Sequence, residues 1–282
     1  MSAMELGVGV WVTDRGVGIA ELALAVEQAG LESLFLTEHT HVPVSRGDVL
    51  QDEIHAQDPR ILDQFTALGA AAAVTSRLKL GTGACIVAQH DPIILAKQVA
   101  TIDHLSGGRF LFGVGAGWLV EEMRNHGVRP ELRWELMREQ VLAMKQIWTQ
   151  DEAEFHGEYV NFDPLWLWPK PIQNPYPPVL VGGSGSRSLR GAAEYGDGWA
   201  PIVGDQAEFR AQRTQLQRLC AEAGRDDDLD VTAFLFELDE QLLACCAELG
   251  VTRCAVVAPT RDLTALQSFL DRYLALAERV CR

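Results

Sequence analysis

Apolar residues along this chain recur with two alternating periods. Short apolar runs, long enough for one strand, are each followed by a segment where apolar residues return every three or four positions. That second spacing is one face of a helix. Gly7–Val12 (GVGVWV) reads as a strand, and Ile19–Ala29 as a helix striped by Ile19, Leu22, Ala23 and Val26 and stopped by Gly30. Ser33–Thr37 is a second strand that delivers Glu38 and His39 at its end. A polar loop carrying His41, Arg46, Asp52, Glu53 and His55 runs on to Pro59, and Ile61–Val74 follows as a helix. A loop of that length in a compact domain is usually functional or mobile.

The clearest unit spans Leu78–Trp118. Leu78–Cys85 is an apolar strand, Asp91-Pro92 opens a helix that ends at Ser106-Gly107-Gly108, and Arg109–Gly117 is a strand that dissolves into glycines. Asp91 is placed to cap and Pro92 fits the first helical turn. Two strands joined by one helix predict parallel pairing. The rhythm then breaks. Glu131–Trp148 is a long helix, Glu154–Phe162 a hairpin turning at Gly157, and Leu165–Pro178 an extended Trp- and Pro-bearing stretch. Residues 119–178 read as an insertion over the strand ends.

Alternation resumes with strands at Val179–Val181, Gly198–Ile202, Val231–Phe236 and Cys254–Ala258. Helices follow at Ser186–Tyr195, Ala207–Ala223, Glu240–Leu249 and Leu263–Val280. Eight strands, each followed by a helix, with no dinucleotide-type half repeat, predict a single α/β domain over 1–282, a (β/α)₈ TIM barrel. A doubly wound sheet is the rival and needs fewer strands.

Composition narrows the function. At 282 residues the chain fits one large barrel, and a net charge of −15 disfavours nucleic acid and anionic membranes as partners. No apolar run reaches membrane-spanning length and no basic-then-apolar leader opens the chain, so a cytoplasmic protein is expected. Six cysteines at 85, 220, 245, 246, 254 and 281 lack CxxC spacing and read as buried thiols. The histidines are spread without metal-cluster spacing, so no metal is expected.

In a barrel, function sits on the loops after the strands. That rule selects Trp11, Glu38 and His39, then Gly83, Ala84 and Cys85, then Gly115, Ala116, Gly117 and Trp118, then Gly183, Ser184 and Gly185, and finally Trp199. Glycine-walled strand ends let a large flat ligand lie against backbone. Glycines that only make tight turns are the alternative. Gly182–Gly185 (GGSG) before a helix is a candidate anion site with Arg187 and Arg190 beyond it, though it has no Walker lysine. Histidine trades a proton near neutral pH and a neighbouring carboxylate can orient it, so His39 with Glu38 is the acid/base candidate. Adjacent strand residues point to opposite faces, so one of the two is expected to face the axis.

Three stretches carry a resemblance: LGTGACIVAQHDPIILAKQVATIDHLSGGRFLFGVGAGW, VLVGGSGSRSLRGAAEYGDGWAP and LGVTRCAVV. They resemble the bacterial luciferase-like flavin and deazaflavin oxidoreductases. The resemblance implies a (β/α)₈ barrel holding an isoalloxazine-type ring in its mouth, and a non-proline cis peptide near Gly83-Ala84. It implies His39 as the histidine after strand two, Gly115–Gly117 beside the ring and Gly183–Gly185 at a phosphate. The central block is similar to members that use coenzyme F420 rather than FMN. Trp118 stands where deazaflavin-dependent sugar-phosphate dehydrogenases carry a glutamate; Glu121 and Glu122 lie one turn on. A homodimer is implied as well.

Together these readings predict an oxidoreductase exchanging hydride between F420 and a small organic substrate, with Trp11, Trp118 and Trp199 as an aromatic wall. The alternatives are an FMN-dependent monooxygenase using oxygen and externally reduced flavin, and a non-catalytic flavin- or deazaflavin-binding barrel.

Overall fold

A computed structural model describes residues 4–48, 58–225 and 229–280. The strands β1 (Glu5–Val10), β2 (Ser33–Leu36), β3 (Lys79–Thr82), β5 (Phe110–Gly115), β8 (Val179–Gly182), β9 (Gly198–Ala200), β10 (Asp230–Leu235) and β11 (Arg253–Val257) pair in parallel. β11 pairs β1, β3 pairs β5, and the sheet closes into a barrel. β4 (Cys85–Ile86) continues β3 past a break and pairs Val114 and Gly115. The (β/α)₈ expectation therefore holds, and the doubly wound alternative falls.

The outer ring is α1 (Ile19–Gln28), α2 (Gln64–Val74), α3 (Pro92–Ser106), α5 (Arg133–Thr149), α6 (Ser186–Glu194), α7 (Gln206–Glu222), α8 (Glu240–Glu248) and α9 (Leu263–Val280). α4 (Val120–Asn125) stands apart from the ring, beside the loop after β2, and the hairpin β6–β7 (Ala153–His156, Asn161–Leu165) follows α5. Residues 119–178 are thus not all laid over the strand ends. α5 packs against α3 as the ring helix after the fourth barrel strand, burying Met137, Val141, Met144 and Ile147. Trp148 Nε1 donates to Ala96 O at 3.0 Å and locks the two helices together.

Local chemistry explains the helix ends. Asp91 accepts from the amides of Ile93 and Ile94, Pro92 fills the first position, and Gly107 ends α3 in the left-handed region. α2 starts three residues later than its apolar pattern suggests. Asp63 caps it through Thr66, while Ile61 bridges to Thr13 instead.

The strands look apolar throughout because both faces are buried. Leu34, Leu36, Phe110, Phe112, Val179, Val181, Cys254 and Val256 pack outward against the helices. Phe35, Leu111, Leu180, Ala200 and Ala255, with Phe234, form a separate cluster inside the barrel. Glycine makes room for it: a Cβ on Gly81 would meet the Phe35 ring at 2.4 Å, and one on Gly113 would meet Thr82 O at 2.0 Å. Among the described residues no helix is long and apolar enough to cross a membrane. The described cysteines, 85, 220, 245, 246 and 254, are buried and free. Cys281, Asp52, Glu53 and His55 lie outside the described residues.

One carboxylate clasps the N-terminal end of the barrel. Glu32 receives Arg253 through both oxygens at 2.6 Å, and Lys79 Nζ at 2.9 Å, tying the starts of β2, β3 and β11. Arg253 also donates to Thr232 on β10. Burial pushes the Glu32 pKa up, but Arg253 and Lys79 outweigh it and hold the group at about 2, below its ordinary 4.5. A depressed folded pKa means stability that is present above 4.5 and lost as pH falls towards 2. Glu32→Gln leaves Arg253 buried without its charge partner, and a loss of about 3–5 kcal/mol at pH 7 is expected. Urea unfolding from pH 7 down to pH 2.5 checks it: the variant should lack the part of the acid-limb slope that Glu32 supplies.

Candidate active site

The opposite, C-terminal edge of the barrel encloses a cavity of about 520 Å³. Its floor is the inner cluster, since Phe35, Leu180, Ala200 and Phe234 reach up into it. One wall is nearly free of side chains: Gly83, Ala84, Gly115, Ala116 and Gly117. The Gly83–Ala84 peptide is cis, as the resemblance implied. Gly117 has φ +75°, and a Cβ there would press on Ile86 Cγ2 at 2.9 Å. A Cβ on Gly115 would come within 3.1 Å of Ala84 Cβ. Side chains at these positions would fill the space that a flat ring needs. Trp11, stacked on Phe236 at 6.2 Å, along with Trp118 and Trp134, supplies aromatic surface. This wall fits a flavin or deazaflavin ring: Gly83, Ala84 and Gly115–Trp118 would hold it.

Not every expected residue reaches the cavity. Trp199 is fully buried on the other face of β9, where it stacks on Phe209 of α7 and donates to Gly183 O at 2.8 Å. The expected wall is corrected there, because the period of two along β9 turns Ala200 inward and Trp199 outward. Cys85 likewise points into the core, and burial pushes its thiol well up. Gly183 borders the cavity, while Ser184 and Gly185 stay outside its lining. Ser184 Oγ donates to Ile202 O at 3.0 Å. Arg187 and Arg190 are exposed.

His39 and Glu38 both border the cavity, yet they do not form a pair. Glu38 turns its carboxylate toward the chain after the cis peptide. It accepts from Ile86 N and from His90 Nε2, the latter at 2.8 Å. The carboxylate that orients His39 comes from α4: His39 Nδ1 meets Glu122 Oε2 at 2.7 Å. Glu122 Oε1 accepts from Thr40 N at 2.8 Å and Thr40 Oγ at 3.0 Å. Glu122 is 1% exposed; burial raises its pKa, but the His39 and Thr40 contacts prevail and hold it low. An ionised Glu122 can only accept, so Nδ1 of His39 carries a proton and Nε2 is the ring's exchangeable nitrogen. Trp118 meets the His39 ring edge-on at 5.8 Å.

Glu122 is thus the residue that sequence reasoning missed in this role. It lies 83 positions from His39. Its only local mark is an acidic side chain beside Met123 on the inner face of a short helix.

The Glu38–His90 pair generates a pH test. Burial pushes the His90 pKa down, but Glu38 outweighs it and the group ends up raised. A raised folded pKa gives stability fully present below about 6.5 and lost as pH rises through the folded value. The native protein should lose about 2–4 °C of Tm per kcal/mol of this pair between pH 6 and pH 9. Glu38→Gln should have a lower Tm at pH 6 and lack that decline. Parallel Tm curves for the two proteins would contradict the assignment.

Known proteins share this sequence family and this fold. Residues 11–237 match the family model for luciferase-like monooxygenases. An uncharacterized protein of Mycobacterium tuberculosis is 40% identical over 281 residues, covering 96% of this chain and 98% of that one. An FMNH₂-dependent dimethylsulfone monooxygenase of Pseudomonas putida is 34% identical over 66% of this chain and 53% of its own length. The solved structure of an F420-dependent secondary alcohol dehydrogenase, in complex with an F420–acetone adduct, superimposes with a TM-score of 0.78 at 18% identity. It covers 98% of this chain and 99% of that one. From the match along most of its length and the shared barrel, this chain belongs to the luciferase-like monooxygenase family.

Proposed function

We propose that this protein is an oxidoreductase that exchanges hydride between coenzyme F420 and a small, largely apolar organic substrate. The observation that carries this reading is the Glu122–His39 hydrogen bond at 2.7 Å, set on the rim of an apolar, glycine-walled cavity. A deazaflavin bound against Gly83–Ala84 and Gly115–Gly117 supplies two-electron hydride chemistry. The chain's own residues do the rest. Glu122 fixes the imidazole plane and keeps Nδ1 protonated. His39 takes up or returns at Nε2 the proton that balances the substrate's redox change. Trp11, Trp118 and Phe236 exclude water from the reacting atoms. No lysine or arginine is among the described residues lining the cavity, which suits an uncharged substrate and not a phosphorylated one.

An FMN-dependent monooxygenase is the second reading, favoured by the 34% identity with the dimethylsulfone enzyme. The same cavity wall suits either ring. Reduced flavin reacts with oxygen and reduced deazaflavin hardly does, so cofactor choice separates the two. Equilibrium titration of the apoprotein should give saturable F420 binding and weaker FMN binding; tight FMN binding with none for F420 would overturn the first reading.

The role of His39 is tested separately. His39→Ala should lower kcat by about 10²–10⁴-fold while leaving cofactor affinity unchanged. Glu122→Gln should cost less and displace the pH–rate profile, because the amide cannot stabilise the imidazolium. Equal loss of turnover and cofactor binding in His39→Ala would point to a binding barrel instead.

A further inference from the structure

Outside the cavity, on the solvent side of Glu122, three side chains converge that the proposed reaction does not use together. His41 follows β2, and Glu122 and His126 sit four residues apart on and just after α4. One ligand atom from each lies within 4.8 Å of the others. We propose that His41, Glu122 and His126 form a binding site for a divalent transition-metal ion of the Zn²⁺ class.

The donor set is two imidazoles and one carboxylate, the set that Zn²⁺ accepts with a fourth position left open. Positions i and i+4 on a helix face the same side, so Glu122 and His126 project together, and His41 closes the third corner. The three donors lie within 4.8 Å of one another and must draw in to hold an ion. Tetrahedral ligation at about 2.0–2.1 Å places donors roughly 3.3 Å apart. His41 is half-buried and His126 exposed, so both have room to close in.

At present the Thr40 hydroxyl fills the hub. Its Oγ lies 3.0 Å from Glu122 Oε1, 2.9 Å from His41 Nδ1 and 2.7 Å from His126 Nε2. The proton count is fixed. Thr40 has one proton, which goes to the carboxylate, so both imidazoles donate their N–H to Thr40. His41 Nε2 then accepts from the Asn125 amide at 2.8 Å. An ion takes the hub when the exposed Thr40 hydroxyl swings away. Each neutral imidazole moves its proton to its far nitrogen, and a turned Asn125 amide offers its oxygen to His41 Nε2–H. That is the outer hydrogen bond a ligating histidine normally makes. The second convergent group, Glu38–Cys85–His90, is less open to an ion: Glu38 and Cys85 are buried, and burial pushes the Cys85 thiol up, away from the thiolate a metal needs.

The site shares one carboxylate with the proton-handling histidine: Oε1 faces the hub and Oε2 holds His39. Binding is nevertheless independent of which reaction the cavity performs. Full-length protein, stripped with chelator, should take up one equivalent of Zn²⁺ by titration calorimetry, and Co²⁺ should give visible d–d absorption. His126→Ala and His41→Ala should each weaken Zn²⁺ by more than about tenfold, with circular dichroism reporting that both fold. Thr40→Ala should keep or tighten binding. Absence of stoichiometric uptake by the native protein would overturn the site. So would unchanged affinity in the His41→Ala/His126→Ala double variant, which would place the ion elsewhere.

Discussion

A buried carboxylate reaching from the chain after β5 to the end of β2, across β3, ties the C-terminal edge of this barrel together. Glu122 leaves the loop after β5, crosses the rim and accepts from His39 with one oxygen and from Thr40 with the other. It is the buried polar tie between α4 and the end of β2, joined nearer the surface by the Thr40–His126, Asn125–His41 and Arg46–Glu121 contacts, and it sets the plane of His39. Burying an ion is costly unless each oxygen is satisfied. Here both are, so the contact can specify geometry as well as contribute stability. The glycine wall, the aromatic rim and His39 meet in one cavity, and this bond helps fix where the β2 loop stands.

The same device recurs around the barrel. Glu32 clasps the N-terminal end through Arg253 and Lys79. Glu27 accepts from three successive amides, Ser76 to Leu78, and so fixes the entry to β3. Glu139 does the same for the hairpin at Glu158 to Val160. Asp103 anchors the extended segment through Ile172 and Gln173. Part of the acidic surplus behind the −15 net charge is therefore structural. Glu27, Glu139 and Asp103 satisfy loop amides that a ring of parallel strands and helices leaves without partners.

Much of the fold could be read in advance because local signals agree with each other. Asp91, Pro92 and Gly107 mark α3, and short apolar runs alternate with helical ones. The glycine wall was equally legible, since strand ends stripped of side chains leave backbone open for a flat ligand. What escaped was direction and distance. Along a strand buried on both faces nothing local says which residues point inward, so Trp199 was placed in the cavity and stands behind it. Chemistry that spans long separations is also silent: Glu38 neighbours His39 in sequence, but Glu122 is the partner in space. The helix at 133–149 looked like part of an insertion because α4 and its loop delay it, though it completes the ring.

The central claim is that Glu122 keeps His39 protonated at Nδ1 and leaves proton exchange to Nε2. Imidazole ¹⁵N NMR of the labelled protein tests it most directly. The account predicts that Nδ1 of His39 stays protonated at every pH at which the protein is folded and that titration is confined to Nε2. In Glu122→Gln that preference should be lost. A neutral His39 carrying its proton on Nε2 in the native protein would contradict the account.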